Sequence, residues 1–403
     1  MKNEILFQKK IHPHQKEAII EALSEIFINS QNADKVIEKT HKQRIKWGAR
    51  DRRFFAENVY NCVRWFRRLA YTQSLENNEQ FNKNDIENIW KAWLSLQDKS
   101  ASNLVLQKWN HPPARSIAQS IPEWFDSKGA EDLGTRWESV LASLNTTAKV
   151  YIRTNNIKTS RSQLIHHLRS VNIECEEVSG YPDAIKILER QNLSITTLFR
   201  QGQFEIQDIV SQMIAPMLSP EPGMRVIDAC AGGGGKTLHI AALMQNRGKI
   251  IALDKHEWRL KPLRSRATRA GVDIIETRVI TTAKIIKRLF NSADRLLLDV
   301  PCSGSGVLKR SPDTKWKLTP AKLQEYETIQ KTILDSYAPM CKTGGRMVYS
   351  TCSIFRSENE EQIRWFLQSQ TGKHWKLIEE KRFYPDETDG DGFYAAVLEK
   401  ISD

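Results

Sequence analysis

Apolar residues recur at helical spacing through the first third of the chain. Residues 14–27 carry Ala18, Ile19, Ala22, Leu23 and Ile26 on one face. Residues 51–71, with Asp51 as a capping residue, align Phe55, Val59, Cys62, Val63 and Phe66. Residues 84–96 do the same with Ile86, Ile89, Trp90 and Trp93. From about Lys149 the pattern changes. Residues 150–152 and 173–178 read as strands and 160–168 as a helix, a small α+β module. Residues 203–217 then lead into apolar runs at 224–229, 249–254, 272–276, 295–300 and 346–350, with helices between them and a last strand at 393–398. Strand–helix alternation of this kind predicts an α/β fold with a mostly parallel, doubly wound sheet. The expected organisation is helical over 1–140, a small α+β module over 145–200 and an α/β domain over 201–403.

Composition narrows the function. The 403 residues hold 60 Lys and Arg against 48 Asp and Glu, a formal charge of +12. Residues 31–70 alone carry 11 basic and four acidic side chains, on what is either a solvated helix face or a phosphate-contacting surface. The excess favours an acidic partner, nucleic acid first among them. Mean hydropathy is −0.51, and no apolar run approaches the roughly 20 residues of a spanning helix. Residues 1–7 lack a signal-peptide core. Six cysteines without a C-x-x-C pair argue against a zinc site and for reduced thiols in the cytoplasm.

The segment from Val226 to Thr237 is the richest. A buried strand ending in Asp228 runs through Cys230 and Ala231 into Gly232, Gly233, Gly234, Gly235 and Lys236, where a helix begins. Glycines there let backbone N–H groups approach a ligand. A P-loop would need a glycine at position 230, which is Cys230, although Gly235, Lys236 and Thr237 fit its end and Asp299 fits an ATPase acid. The competing ligand is an adenosine-bearing cofactor, because Asp254 ends the next strand, where an acid meets ribose hydroxyls. Asp254 also suits a helix-capping role.

Two cysteines follow two other strands. Cys302 lies in Asp299-Val300-Pro301-Cys302-Ser303-Gly304, and Cys352 in Ser350-Thr351-Cys352-Ser353. Open α/β sheets bind ligands outside the carboxyl ends of their strands, so both thiols should face one crevice. Cys62, Cys175 and Cys341 read as small buried hydrophobes. Two thiols, an acid and an adenosine cofactor suit methylation at carbon 5 of a pyrimidine. A thiolate adds to carbon 6, carbon 5 attacks an electrophilic methyl, and the second thiol assists release. Asp299 would bind the polar edge of the base, and Lys236 would lower a thiol pKa.

Together these residues resemble the Nop/Sun family of RNA 5-methylcytosine methyltransferases, nearest the bacterial ribosomal RNA small-subunit methyltransferase B branch. The likeness covers roughly residues 120–400. It rests on Arg153-Thr154-Asn155, the stretch Gly202-Gln203-Phe204-Glu205-Ile206-Gln207-Asp208, the glycine loop, Asp254, the two cysteine motifs and Asp391-Gly392-Phe393-Tyr394. The resemblance implies a Rossmann-like class I methyltransferase sheet. It implies S-adenosyl-L-methionine held by Cys230, Ala231, Gly232, Gly233, Gly234, Gly235, Lys236, Asp254 and Asp299. It also implies Cys352 as nucleophile, Cys302 in release, Asp299 and Lys236 as further catalytic groups, and no metal. The partner implied is ribosomal RNA, bound by a monomer whose basic N-terminal helices hold it. Arg310, Lys315 and Trp316 would either contact RNA or anchor a surface loop, and the target cytosine must be unpaired or flipped out. Two departures stand out: Gly232 and Gly233 replace the family's Ala-Pro, and no acid follows the third strand, where Glu276 lies too early. The alternatives are a transfer RNA or DNA cytosine methyltransferase, the latter attacking with Cys302, a P-loop nucleotide-binding protein, and a catalytically silent RNA-binding protein.

Overall fold

A computed structural model describes residues 11–75 and 80–402. The segment 1–7 lies outside them. The chain divides into two compact units, one of residues 1–146 and 308–319, the other of 147–307 and 320–403.

The first unit is helical. Its main helices are Pro13–Phe27, Ala33–Gln43, Ala49–Thr72 and Lys83–Gln97. Ile19, Leu23, Phe55, Val59, Val63, Ile86 and Trp90 fill the core between them. Asp51 does not start its helix. Gly48 precedes the first turn, and the Asp51 carboxylate reaches back to accept the Gly48 N–H at 3.1 Å, the N3 half of a capping box.

The long helix breaks at Trp65, whose φ of −107° and ψ of 18° leave the helical region. The freed backbone groups find other partners. Ser120 Oγ accepts the Arg67 N–H at 2.9 Å. Trp316 Nε1 donates to Val63 O at 2.7 Å, and Lys315 Nζ to Arg64 O at 2.8 Å and Asn145 Oδ1 at 3.0 Å. The Arg64 guanidinium in turn donates to the carbonyls of Leu308 and Lys309. Lys315 is fully buried, and burial with Arg64 beside it pushes its ammonium well below the usual range. The RNA-contact reading of Lys315 and Trp316 is therefore corrected. Both are committed to satisfying a broken helix.

The second unit opens with a four-stranded antiparallel sheet. It comprises β1 (Val150–Thr154), β2 (Cys175–Glu177), β3 (Ala184–Ile187) and β4 (Phe204–Ile206), in the order β2-β3-β1-β4. The helix Arg161–Ser170, capped by Ser160, packs Leu164 and Leu168 against Ile152, Ile185 and Phe204. The module therefore draws its last strand from beyond residue 200, because Phe204–Ile206 pairs with β1.

The large sheet has seven strands: β5 (Arg225–Asp228), β6 (Lys249–Asp254), β7 (Ile275–Val279), β8 (Ala293–Asp299), β9 (Cys341–Thr351), β10 (Trp375–Phe383) and β11 (Phe393–Lys400). Their order is β10-β11-β9-β8-β5-β6-β7, with β5 to β9 parallel and β10 and β11 antiparallel. This is the doubly wound sheet that the alternation predicts. β7 runs three residues later than the apolar run at 272–276, because it is an edge strand of half-buried positions. β10 escaped the pattern for a related reason: its residues between Trp375 and Phe383 are mostly exposed. The strand order reverses between β5 and β8, which places the ligand crevice at their carboxyl ends. No helix among the described residues is long and apolar enough to cross a membrane.

Candidate active site

The glycine loop follows β5. Gly232 and Gly234 adopt φ of +51° and +82°, a left-handed backbone that glycine takes without steric cost. A Cβ on Gly234 would also lie 2.1 Å from Leu263, whereas one on Gly232 would meet nothing. The helix Gly235–Leu243 starts directly after. Asp254, at the end of β6, is nearly buried. It accepts the Gly232 N–H at 3.2 Å and the His256 N–H at 2.9 Å. It thus ties the loop to the next strand, while His256 is the cap of the helix Glu257–Ala270. Each Asp254 oxygen keeps lone-pair capacity for a ribose hydroxyl.

Asp228 ends β5 in full burial and accepts Thr237 Oγ1 at 2.6 Å. Burial, with Asp299 nearby, raises its carboxyl to about 7 against the pull of Thr237. Burial and the carboxylates of Asp228, Asp299 and Asp254 push the Cys230 thiol far up.

Register dictates the rest. Asp299 of β8 pairs directly with Ser350 of β9. Cys302 and Cys352 follow those positions by three and two residues, so both leave neighbouring strand ends together. Their Sγ atoms lie 3.3 Å apart and both thiols are free. The hydrogen bond to Cys352, then burial, then the negative charges of Cys352 and Glu358 hold the Cys302 thiol well above its usual range. Asp299 accepts Ser350 Oγ at 2.8 Å and Lys236 Nζ at 2.7 Å. Burial pulls the Lys236 ammonium down, but Asp299, Cys352 and Asp228 outweigh it and leave the pKa raised. Lys236 also sits 5.2 Å over the Phe393 ring. The lysine that a P-loop would aim at phosphate is therefore held by a carboxylate. Cys62 and Cys341 are buried, the latter pushed to about 12 by burial. Glu276 pairs with Arg278 and Lys249.

Several contributors were invisible in the sequence. Glu358 is fully buried. It accepts the Ser303 N–H at 2.7 Å, Ser303 Oγ at 2.5 Å, Gln330 Nε2 at 3.0 Å and Ser353 Oγ. Ser303 and Ser353 are the residues after the two cysteines, so one carboxylate joins both loops. Gly306 N donates to Cys352 O at 2.9 Å, and Gly392 N to Gly306 O at 2.8 Å, which lays the Asp391-Gly392 turn against them. The small sheet braces the glycine loop. Arg153 of β1 donates to Gly235 O at 2.8 Å and to Gln207. Arg266 donates to Gly233 O at 2.5 Å and to Glu205 of β4 at 2.9 Å. The matched stretches around Arg153 and Glu205 were legible; their role under the loop was not.

A family model described as 16S rRNA methyltransferase RsmB/F matches residues 215–399. A second, a ferredoxin-like domain of RsmF/B-like methyltransferases, matches residues 121–194. The ribosomal RNA small subunit methyltransferase B of Yersinia pseudotuberculosis is 30% identical over 75% of this chain and 74% of its own. The chain belongs to the RsmB/F family. The probable ribosomal RNA small subunit methyltransferase B of Synechocystis is 38% identical over 62% of this chain, and the match spans 56% of that relative's length. The crystal structure of PH0851 has a TM-score of 0.78 at 26% identity, over 97% of this chain and 100% of that one. An RsmB/F chain of this kind carries the Rossmann-like class I sheet described above.

Proposed function

We propose that the protein methylates carbon 5 of a cytosine in RNA, with small-subunit ribosomal RNA as the substrate and S-adenosyl-L-methionine as the donor. The observation that carries this reading is the pair of thiols 3.3 Å apart at the ends of β8 and β9. The names of the methyltransferase B relatives support the RNA class. The 11 basic against four acidic side chains of residues 31–70 give the helical unit a charge that suits such a substrate.

The donor, when bound, supplies an electrophilic methyl group. The loop from Cys230 to Lys236 would hold it, with Asp254 on its ribose and Asp299 near the reacting end. Cys352, its proton given up to water, adds Sγ as thiolate to carbon 6 of the cytosine; the electron pair passes to carbon 5, which forms its new bond to the methyl carbon. Asp299 accepts from the amino edge of the base, and Lys236 holds the Asp299 carboxylate in place. Cys302, after giving its own proton to water, takes the proton of carbon 5 as thiolate. The carbon 5–carbon 6 double bond re-forms and Cys352 leaves as thiolate.

The test is methyl transfer to unmodified small-subunit RNA and to DNA by Cys352→Ala and Cys302→Ala. Cys352→Ala should abolish turnover, and Cys302→Ala should accumulate a covalent protein–RNA adduct. Full turnover by Cys352→Ala, or transfer to DNA that depends on Cys302 alone, sinks the assignment.

A further inference from the structure

Directly after Asp254 the chain exposes five consecutive side chains: Lys255, His256, Glu257, Trp258 and Arg259. Trp258 is 68% exposed, the most exposed tryptophan among the exposed large apolar residues. An indole pairs a large apolar face with one polar N–H, which suits a contact surface where one side stays wet. This one is held in place. His256 stacks on it with ring centroids 5.9 Å apart and planes 25° apart. The Arg259 guanidinium sits 5.2 Å from the ring centroid. Lys255 and Lys261 are exposed on the same segment, and Glu257, its one acid, pairs with Arg264 at 3.7 Å.

Location adds the second argument. β6, which ends at Asp254, lies three strand positions from β9, which leads to Cys352. At about 4.8 Å per strand, that is roughly 14 Å along the crevice rim, within reach of nucleotides near the target base. Tyr326 lies within electrostatic range of both places: burial raises its hydroxyl pKa, Cys302 and Glu358 raise it further, and Arg259 lowers it.

We propose that Trp258, steadied by His256 and Arg259, is a stacking platform for an unpaired base of the RNA strand flanking the target cytosine. The proposal rests on the RNA-methylation reading above. An aromatic face beside cationic groups is how single strands are held without sequence readout. The adenine of the donor is a poorer occupant, because the ring stands in solvent rather than lining a recess.

The experiment measures methyl transfer from labelled S-adenosyl-L-methionine to in vitro transcribed small-subunit RNA by the full chain. Trp258→Ala should raise the KM for RNA about tenfold, the lower part of the range for one stacked base. The kcat at saturating RNA and the donor's Kd should stay within about twofold. Trp258→Phe should keep most of the affinity, and Trp258→Leu should behave like the alanine variant. An unchanged KM in Trp258→Ala, a wild-type KM in Trp258→Leu, or a loss confined to donor binding overturns the platform. If the wild type itself transfers no methyl to RNA, the underlying reading fails instead.

Discussion

Glu358 binds Ser303 twice, taking its N–H at 2.7 Å and its hydroxyl at 2.5 Å. The same carboxylate takes Ser353, so the spacing of Cys302 and Cys352 is set by a group that touches neither thiol. Removing it leaves a buried N–H, two hydroxyls and an amide without their acceptor. Glu358→Ala should cost about 3 kcal/mol of unfolding free energy, the scale for breaking a buried charged network. Loosening the thiols by even ~1 Å should lower kcat about 100-fold. Glu358→Gln keeps one acceptor oxygen and should recover part of the kcat, with KM for RNA near wild type in both variants. Steady-state kinetics beside chemical denaturation check this. A kcat that tracks only the folded fraction would reduce Glu358 to a general stabiliser.

The same residue marks where sequence reasoning stops. The strands β5, β6 and β8 were legible because they are buried on both faces and read as unbroken apolar runs. Cys302 and Cys352 were legible because polar residues follow a strand end. Glu358 is 55 positions from Ser303 in the chain, and Glu205 is 61 from Arg266. No periodicity connects such pairs. They appear only when the sheet order brings their loops together. Trp65 shows the converse limit. Its helix continues in pattern through residue 71, yet the backbone breaks, because groups from Ser120, Lys315 and Trp316 offer its carbonyls and amides better partners.

That break yields a second expectation. Lys315 fills a buried site and donates to Arg64 O and Asn145 Oδ1. Lys315→Ala opens a cavity and strands both acceptors, so it should destabilise by about 2–4 kcal/mol. Trp316→Phe keeps the packing near Phe66 but loses the bond to Val63 O. It should cost about 1 kcal/mol. Thermal unfolding measures both. The affinity of the folded variants for RNA should not change, since Lys315 is buried and the Trp316 indole N–H is taken by Val63 O. A Trp316→Phe protein of full stability but weakened RNA binding would restore the RNA-contact reading.

Asp228 sets a pH dependence whose direction follows from its burial. Burial raises its folded-state pKa from 3.8 to about 7. A carboxyl that holds its proton more tightly when folded contributes stability in full below the unfolded value, near pH 4. That contribution disappears as pH rises through about 7, where the buried group must ionise. The whole rise corresponds to about 4 kcal/mol as an upper figure. Asp228→Asn cannot ionise and still offers Thr237 an acceptor oxygen. The variant should therefore be the flatter of the two between pH 5 and 8, losing less stability than the wild type as pH rises. Denaturant midpoints across that range decide it. Parallel wild-type and Asp228→Asn profiles would show that the Asp228 carboxyl is already ionised throughout, and that the Thr237 hydroxyl stabilises the anion more than burial opposes it.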